Sequence, residues 1–145
     1  MVAKMEFTKQ LTRYIRSTTV DLMLFKASLD DTRSPIKVTF ILGVLSSVLI
    51  VAQQLIDDKS IVAAFLSLAL WLAMVFAASK IDADKWNKIA NSMFLVSMVL
   101  SSSLMINAWL GNNQDAVLII SFWCALAVLK VVINSIHKAV SNGFN

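Results

Sequence analysis

Four apolar stretches, each about as long as a bilayer crossing, limit what this chain can fold into more than any other feature. A transmembrane helix needs about 20 consecutive, mostly apolar residues. The four stretches cover residues 36–56, 60–79, 89–110 and 116–136. A soluble helical bundle would need a charged face on each helix, and none of the four has one. The sequence therefore predicts an all-α integral membrane protein with four transmembrane helices.

Composition agrees with the bilayer as the solvent. Hydrophobic residues make up 58% of the chain and charged residues 15%, against about 45–50% and about 25% in soluble domains. The connections between the stretches are short and polar, so successive helices are expected to be antiparallel neighbours in one bundle. Residues 35–140 form this bundle, residues 1–34 a cytoplasmic arm before it, and residues 141–145 a short C-terminal tail.

Capping residues predict where the helices begin and end. Small polar side chains accept hydrogen bonds from the first turn of a helix, and glycine after the last turn adopts a left-handed conformation. Proline fits the first helical position. The residues in such places are Ser34 with Pro35, then Asp57, Asp58 and Ser60, and after these Asp84, Asp115 and Gly143.

The distribution of basic residues predicts the orientation. Twelve of the 13 lysines and arginines fall in the N-terminal arm, in the second connection or towards the C-terminus, and only Lys59 falls on the opposite side. Cytoplasmic segments carry the excess of basic residues, so both termini are expected in the cytoplasm and the protein in the inner (cytoplasmic) membrane. Topology thereby explains the net charge of +4, and no nucleic-acid partner is expected.

The arm before the first span has a helical apolar stripe beside a basic one. A helix of this kind can lie among anionic lipid headgroups. It can equally pack on a partner or on its own copies, or it can be a surface helix that only anchors the bundle. The apolar contact candidates are Phe7, Leu11, Leu22 and Phe25, and the basic ones are Lys9, Arg13 and Arg16.

Two tryptophans are placed as interfacial anchors of the third span. Trp86 and Trp109 are 23 residues apart, which is about 34 Å along a helix. This distance suits one aromatic residue at each membrane surface. Trp71 and Trp123 lie deeper in their spans, where we expect them to pack between helices or subunits.

Polar and small residues inside the spans are candidates for helix packing or for lining a pore. Serine and asparagine form hydrogen bonds across helices, and small residues four positions apart let helix backbones approach closely. Serine also bonds back to its own helix, with no further role. The candidates are Ser97, Ser101, Ser103 and Asn107 on the third span, and Ala69, Ala73 and Ala77 on the second.

One lysine, Lys130, lies inside the fourth apolar stretch. It follows Asp115 by 15 residues, about 22 Å at helical rise, so about 8 Å of a core about 30 Å thick separates it from the cytoplasmic edge. A lysine side chain can reach that edge by snorkelling. We therefore expect Lys130 to be a boundary residue, with a working intramembrane charge as the alternative.

Catalytic and metal-binding constellations are missing from the sequence. The chain has one histidine, one cysteine and nine acidic residues, and every acidic residue lies outside the four stretches. No triad, paired carboxylates within a span or metal-ligand spacing can be assembled from them. The sequence predicts a non-enzymatic protein without a cofactor or metal, and proton-coupled transport by this chain alone is not expected.

Two functions from different classes fit these features. The first is a protein that acts through contacts in the bilayer, as an accessory or assembly subunit or as an immunity, exclusion or inhibitory factor on a larger membrane machine. The second is a homo-oligomeric pore or lesion former, or a small channel, in the manner of phage holins, which is an analogy of architecture alone. The expected partners are accordingly an anionic lipid bilayer and a homo-oligomer or larger membrane complex.

Overall fold

A computed structural model describes residues 2–24, 36–81 and 86–143. All regular structure in these ranges is α-helical, and four of the helices are long and apolar enough to cross a membrane. The four spans predicted from the sequence are therefore confirmed as apolar helices of membrane-crossing length. The helices are α1 (Val2–Met23), α2 (Ile36–Ile56), α3 (Ile61–Ser79), α4 (Trp86–Trp109) and α5 (Gln114–Gly143).

Helix α4 is the centre of the fold. It packs against each of the other four helices, and every residue from Ile89 to Ser97 is buried. Helix α2 also contacts α3, and α5 also contacts α1. Helix α4 therefore lies between two helix pairs, and α3 and α5 make little direct contact with each other.

The most extensive contact between two helices is that of α2 with α4. The side of α2 that faces the core is built from buried residues three or four positions apart, among them Leu42, Ser46 and Ile50. The Phe94 ring of α4 lies directly beside Gly43, where an added Cβ atom would be 3.4 Å from it. The hydroxyls of Ser46 and Ser47 donate to the carbonyl of Gly43 at 3.0 and 2.7 Å, so neither is left unpaired.

Hydrogen bonds at the helix ends follow the sequence in part. Ser60 is the N-cap of α3, where its hydroxyl accepts a hydrogen bond from the Ala63 amide. The expectation that Asp115 caps α5 is wrong, because the side chain of Asn113 accepts from the amides of Asp115 and Ala116. Ser34, Pro35 and Asp84 lie outside the described residues.

The two short turns after α2 and α4 close with residues of positive φ. Asp58 has φ of 56° and Gly111 of 117°. In each turn the following amide bonds back to a carbonyl five residues earlier, from Lys59 to Gln54 at 3.2 Å and from Asn112 to Asn107 at 2.8 Å. This is the hydrogen bond of a Schellman C-cap, which lets a helix end within a few residues.

Helix α1 packs along the side of α4 and α5. Leu22 is 2% exposed, and Leu11, Tyr14 and Ile15 pack against the same core. The amide of Asn91 near the start of α4 donates to the Tyr14 hydroxyl at 3.3 Å. The predicted apolar stripe of the arm thus faces the helices of the chain itself from Leu11 to Leu22, whereas Phe7 is exposed.

Candidate interaction cleft between α3 and α5

An open cleft of about 530 Å³ separates α3 from α5, with α4 as its floor. Apolar side chains dominate its walls, and a minority of small or polar residues lies among them. Its polar and aromatic lining residues are Gln53, Gln54, Ser67, Trp71, Ser97, Ser101 and Ser121.

Two polar atoms beside the cleft have no hydrogen-bond partner. They are the indole nitrogen of Trp71 and the side-chain oxygen of Gln54, and both are buried. The rest of the Gln54 amide is used, because its nitrogen donates to Gln53 at 3.2 Å and Gln53 in turn donates to Asp57. Burying an unpaired polar group costs about 1–3 kcal/mol. One donor and one acceptor beside the cleft are therefore left without a partner within the described residues.

The serines predicted on α4 lie at the floor of the cleft, within the chain. Ser97 is 5% and Ser101 3% exposed, while Ser103 is half-buried and does not line the cleft. The Ser97 hydroxyl donates to the carbonyl of Phe94 at 2.9 Å, which is the local bond that serine often makes inside a helix. Ser97 and Ser101 are thus brought together against the other helices.

Asn107 has a local structural role at the other end of α4. It is buried, and its side-chain amide donates to the carbonyl of Asn113 at 3.2 Å, across the turn to α5. Its own carbonyl accepts from Asn112 in the same turn. The amide side chain therefore ties the α4–α5 connection together and does not join the serines at the cleft.

The alanine ladder of α3 lies outside the cleft. Ala69, Ala73 and Ala77 are all exposed, whereas the inward side of this helix is formed by Ala64, Trp71 and other residues. The ladder therefore packs on none of the described helices. Its use as a packing surface towards another molecule stays a prediction.

The four tryptophans occupy different environments. Trp86 is 40% and Trp109 86% exposed at the two ends of α4. Trp71 is half-buried against the core. Trp123 is half-exposed on α5 and donates from its indole nitrogen to the main-chain carbonyl of Met23 at 3.0 Å. Trp71 and Trp123 thus lie between helices, the one beside the cleft and the other against α1.

The remaining predicted residues lie away from the cleft. Lys9, Arg13 and Arg16 are exposed on α1, as is Phe7. Lys130 is half-buried on α5 and does not line the cleft. Phe25 lies outside the described residues. Of the predicted site residues that the structure describes, Ser97 and Ser101 alone line the cleft.

Sequence reasoning overlooked the most informative members of the cleft. Gln53 and Gln54 are adjacent amides inside the first apolar stretch, and polar residues within a span are costly and usually have a purpose. The two glutamines could therefore have been predicted from the sequence as candidate contact residues. That Gln54 and Trp71 both line one cleft could not be predicted, because it depends on how the two helices are rotated.

Metal binding has no ligand set among the residues that the structure describes. No three side chains from histidine, cysteine, aspartate or glutamate come together there. The cleft is instead an open, mostly apolar hollow with small side chains and two unpaired hydrogen-bonding atoms beside it.

Comparison with family models, with curated proteins and with solved structures gave no match for this chain. The functional argument therefore rests on the residues and geometry of the chain itself.

Proposed function

We propose that this chain is a non-enzymatic protein of the inner membrane that acts by binding a transmembrane helix of a larger membrane machine in the cleft between α3 and α5. In this proposal α2 to α5 cross the bilayer as an antiparallel bundle, with α1 before them and both termini in the cytoplasm. The protein is an accessory or assembly subunit, or an immunity, exclusion or inhibitory factor.

The observation that carries the proposal is the pair of unpaired buried atoms beside the cleft. A lipid acyl chain fills space, but it has no group that accepts from the Trp71 N–H or donates to the Gln54 oxygen. A helix with serine, threonine, asparagine or glutamine on its contact face supplies both. Hydrogen bonds of this type between membrane helices contribute about 1 kcal/mol each, so the two together favour a helix over lipid.

The shape of the cleft supports the same occupant. Ser67, Ser121 and Ala125 line its two walls, and small residues permit a close approach of helix backbones in membranes. The cleft also extends along four helices, from Gln53 near the end of α2 to Val132 on α5. This long, narrow surface is more suitable for a helix than for a compact solute.

Helix α1 supplies a second contact surface at the cytoplasmic side. Part of its apolar stripe, from Leu11 to Leu22, packs on the core, and its exposed basic residues are available for headgroups or for a partner. The three that the sequence singled out are Lys9, Arg13 and Arg16. Anionic lipid attracts each such residue by about 1 kcal/mol.

The lesion-forming alternative has less support from the geometry. A pore needs its polar residues on a surface that copies can share around water. Ser97 and Ser101 are instead buried within one chain, and the Asn107 amide bonds to Asn113. The exposed outer side of α3 carries alanine and larger apolar residues, which suit lipid or a dry contact.

The experiment is purification of the tagged chain from its native host in a mild detergent, with variants that fill the cleft. Ser121→Trp places a large ring in the cleft and should remove a stoichiometric partner protein. Ile119→Trp is the matched control, because Ile119 lies on the same helix, is 68% exposed and does not line the cleft. Circular dichroism and gel filtration verify that both variants fold.

Three results would contradict the proposal. The first is recovery of the wild-type chain alone under conditions that preserve other membrane complexes. The second is equal retention of the partner by both variants. The third is loss of membrane potential on expression of the chain alone, since that is the behaviour of a lesion former.

A further inference from the structure

A second surface of the bundle carries a groove of different chemistry, at the opposite end of α2 and α3 from the Gln53–Gln54 pair. One hollow of about 550 Å³ lies between the end of α3 and the start of α4. A second hollow of about 490 Å³ continues along α2. The two share Thr39, Leu72, Trp86 and Phe94 as lining residues, so they form one groove, called here the Lys80 groove.

We infer that the Lys80 groove is a binding site for one anionic phospholipid, with an acyl chain along α2 and the phosphate at Lys80. This inference concerns a lipid, and it does not depend on the partner helix proposed for the cleft between α3 and α5.

The groove has the length of one acyl chain. Its α2 side runs from Ile36 to Val48, which is 12 residues or about 18 Å at helical rise. One leaflet of a hydrocarbon core about 30 Å thick measures about 15 Å. The hollow along α2 is lined almost wholly by apolar side chains and glycine, so a chain that starts at the membrane surface can follow it to the bilayer midplane.

The ammonium group of a lysine side chain lies at one end of the groove. Lys80 lines it, is exposed, and has its ammonium nitrogen 4.4 Å from the centroid of the Phe76 ring, which lines the same hollow. Lys37 is exposed next to Ile36 at the start of α2. Two exposed lysines, Lys37 and Lys80, are thus among the described residues at this end. Basic pockets of this kind between membrane helices bind anionic headgroups.

The groove is also lined by a threonine whose hydroxyl has no hydrogen-bond partner. Thr39 is 7% exposed, and its side-chain oxygen is buried without a hydrogen bond. It lines both hollows. The ester carbonyl of a phospholipid is an acceptor that lies between headgroup and acyl chain, and it matches the position of Thr39 between Lys80 and the apolar part of the groove. The Ser79 hydroxyl is already used, since it donates to the Val75 carbonyl at 2.6 Å.

Trp86 makes the site measurable, because it lines both hollows and is 40% exposed. The protein is changed to Phe at Trp71, Trp109 and Trp123, which leaves Trp86 as the only tryptophan. It is placed in phosphatidylcholine vesicles that contain a small fraction of brominated phosphatidylglycerol or, separately, brominated phosphatidylcholine. Bromine quenches tryptophan only in close contact, so the ratio of quenching by the two lipids measures selectivity for the anionic headgroup.

The expected result is stronger quenching by the brominated anionic lipid than by the brominated neutral one. Lys80→Gln should lower this selectivity about fivefold, the equivalent of about 1 kcal/mol per basic residue at the surface. Thr39→Val should weaken binding of the anionic lipid with less effect on selectivity. Lys59→Gln is the matched control, since Lys59 is exposed at the other end of the bundle, and it should change neither.

Equal quenching of Trp86 by the two brominated lipids would overturn the inference. So would an equal loss of selectivity in Lys80→Gln and Lys59→Gln, because this would reflect the total charge of the protein and not a site. Native mass spectrometry of the protein with all four tryptophans gives an independent readout: one tightly retained anionic lipid is expected, and its absence would also contradict the site.

Discussion

The indole N–H of Trp123 in α5 donates a hydrogen bond of 3.0 Å to the main-chain carbonyl of Met23, 100 positions earlier at the end of α1. Trp123 follows Gln114 by nine residues, or about 14 Å along α5. This contact fastens the end of α1 to the side of α5.

Replacement of Trp123 by phenylalanine should loosen α1 while leaving the four spans folded. The variant keeps an aromatic ring on α5 but loses the donor to the Met23 carbonyl, at a cost of about 1 kcal/mol. We expect hydrogen exchange at the amides of residues 11–22 to accelerate about fivefold. Trp109→Phe is the control, because Trp109 is 86% exposed at the end of α4. Unchanged exchange in Trp123→Phe would show that α1 is attached by other contacts alone.

Gly43 sets how closely α2 can approach α4. Alanine at this position should be tolerated, because its Cβ would meet the Phe94 ring at 3.4 Å, an ordinary contact distance. Leucine should lower the free energy of unfolding by about 1–3 kcal/mol, since the larger side chain must displace that ring. Denaturation in detergent micelles measures both. Val62→Leu, at a 77% exposed position of α3, should have little effect, and equal stability of Gly43→Leu and Gly43→Ala would refute the close packing.

A substitution at Asp58, in the turn after α2, should stabilise the protein. A left-handed backbone conformation costs an L-residue about 1–2 kcal/mol, less for aspartate, and Asp58 has φ of 56°. Asp58→Gly should therefore raise the thermal unfolding temperature, by a gain of up to about 1 kcal/mol. Gly111→Ala should act in the opposite direction, because φ of 117° is accessible to glycine and strained for alanine. A stabilised Gly111→Ala variant would contradict the geometry of the second turn.

The spans and one of their caps were predictable because they depend on neighbours in sequence. A segment of about twenty apolar residues forms a helix in a membrane because its backbone must satisfy its own hydrogen bonds there. Ser60 caps α3 through an amide only three residues away. Asn113 was overlooked in favour of Asp115, since both are good capping residues and only the end of the preceding turn decides between them. Gly111 and Asn112, which both have positive φ, determine where that turn ends.

The interior side of each span was much harder to predict. Helix α3 is apolar all round, so the alanine ladder at Ala69, Ala73 and Ala77 was as good a packing surface as the side with Trp71. In the structure, the side of α3 with Trp71 is the one that packs against the core. In a soluble protein, charged residues mark the exposed side of a helix, so the apolar side is recognised as the buried one. A transmembrane helix has apolar residues on both sides, and the sequence does not distinguish them. The unpaired atoms of Trp71 and Gln54 could for the same reason be found only in the folded chain.

Site-directed photocrosslinking tests the central claim, that the cleft between α3 and α5 binds a helix of another protein. A photoreactive residue is introduced at Ser67, which lines the cleft, and separately at Ala69, two positions along α3 and exposed on its other side. Both positions have nearly the same depth, since two residues of helix rise only about 3 Å. Illumination in native membranes should give a discrete adduct with one other protein from Ser67 and none of that mass from Ala69. Adducts with lipid alone from Ser67, or the same protein adduct from both positions, would contradict the account.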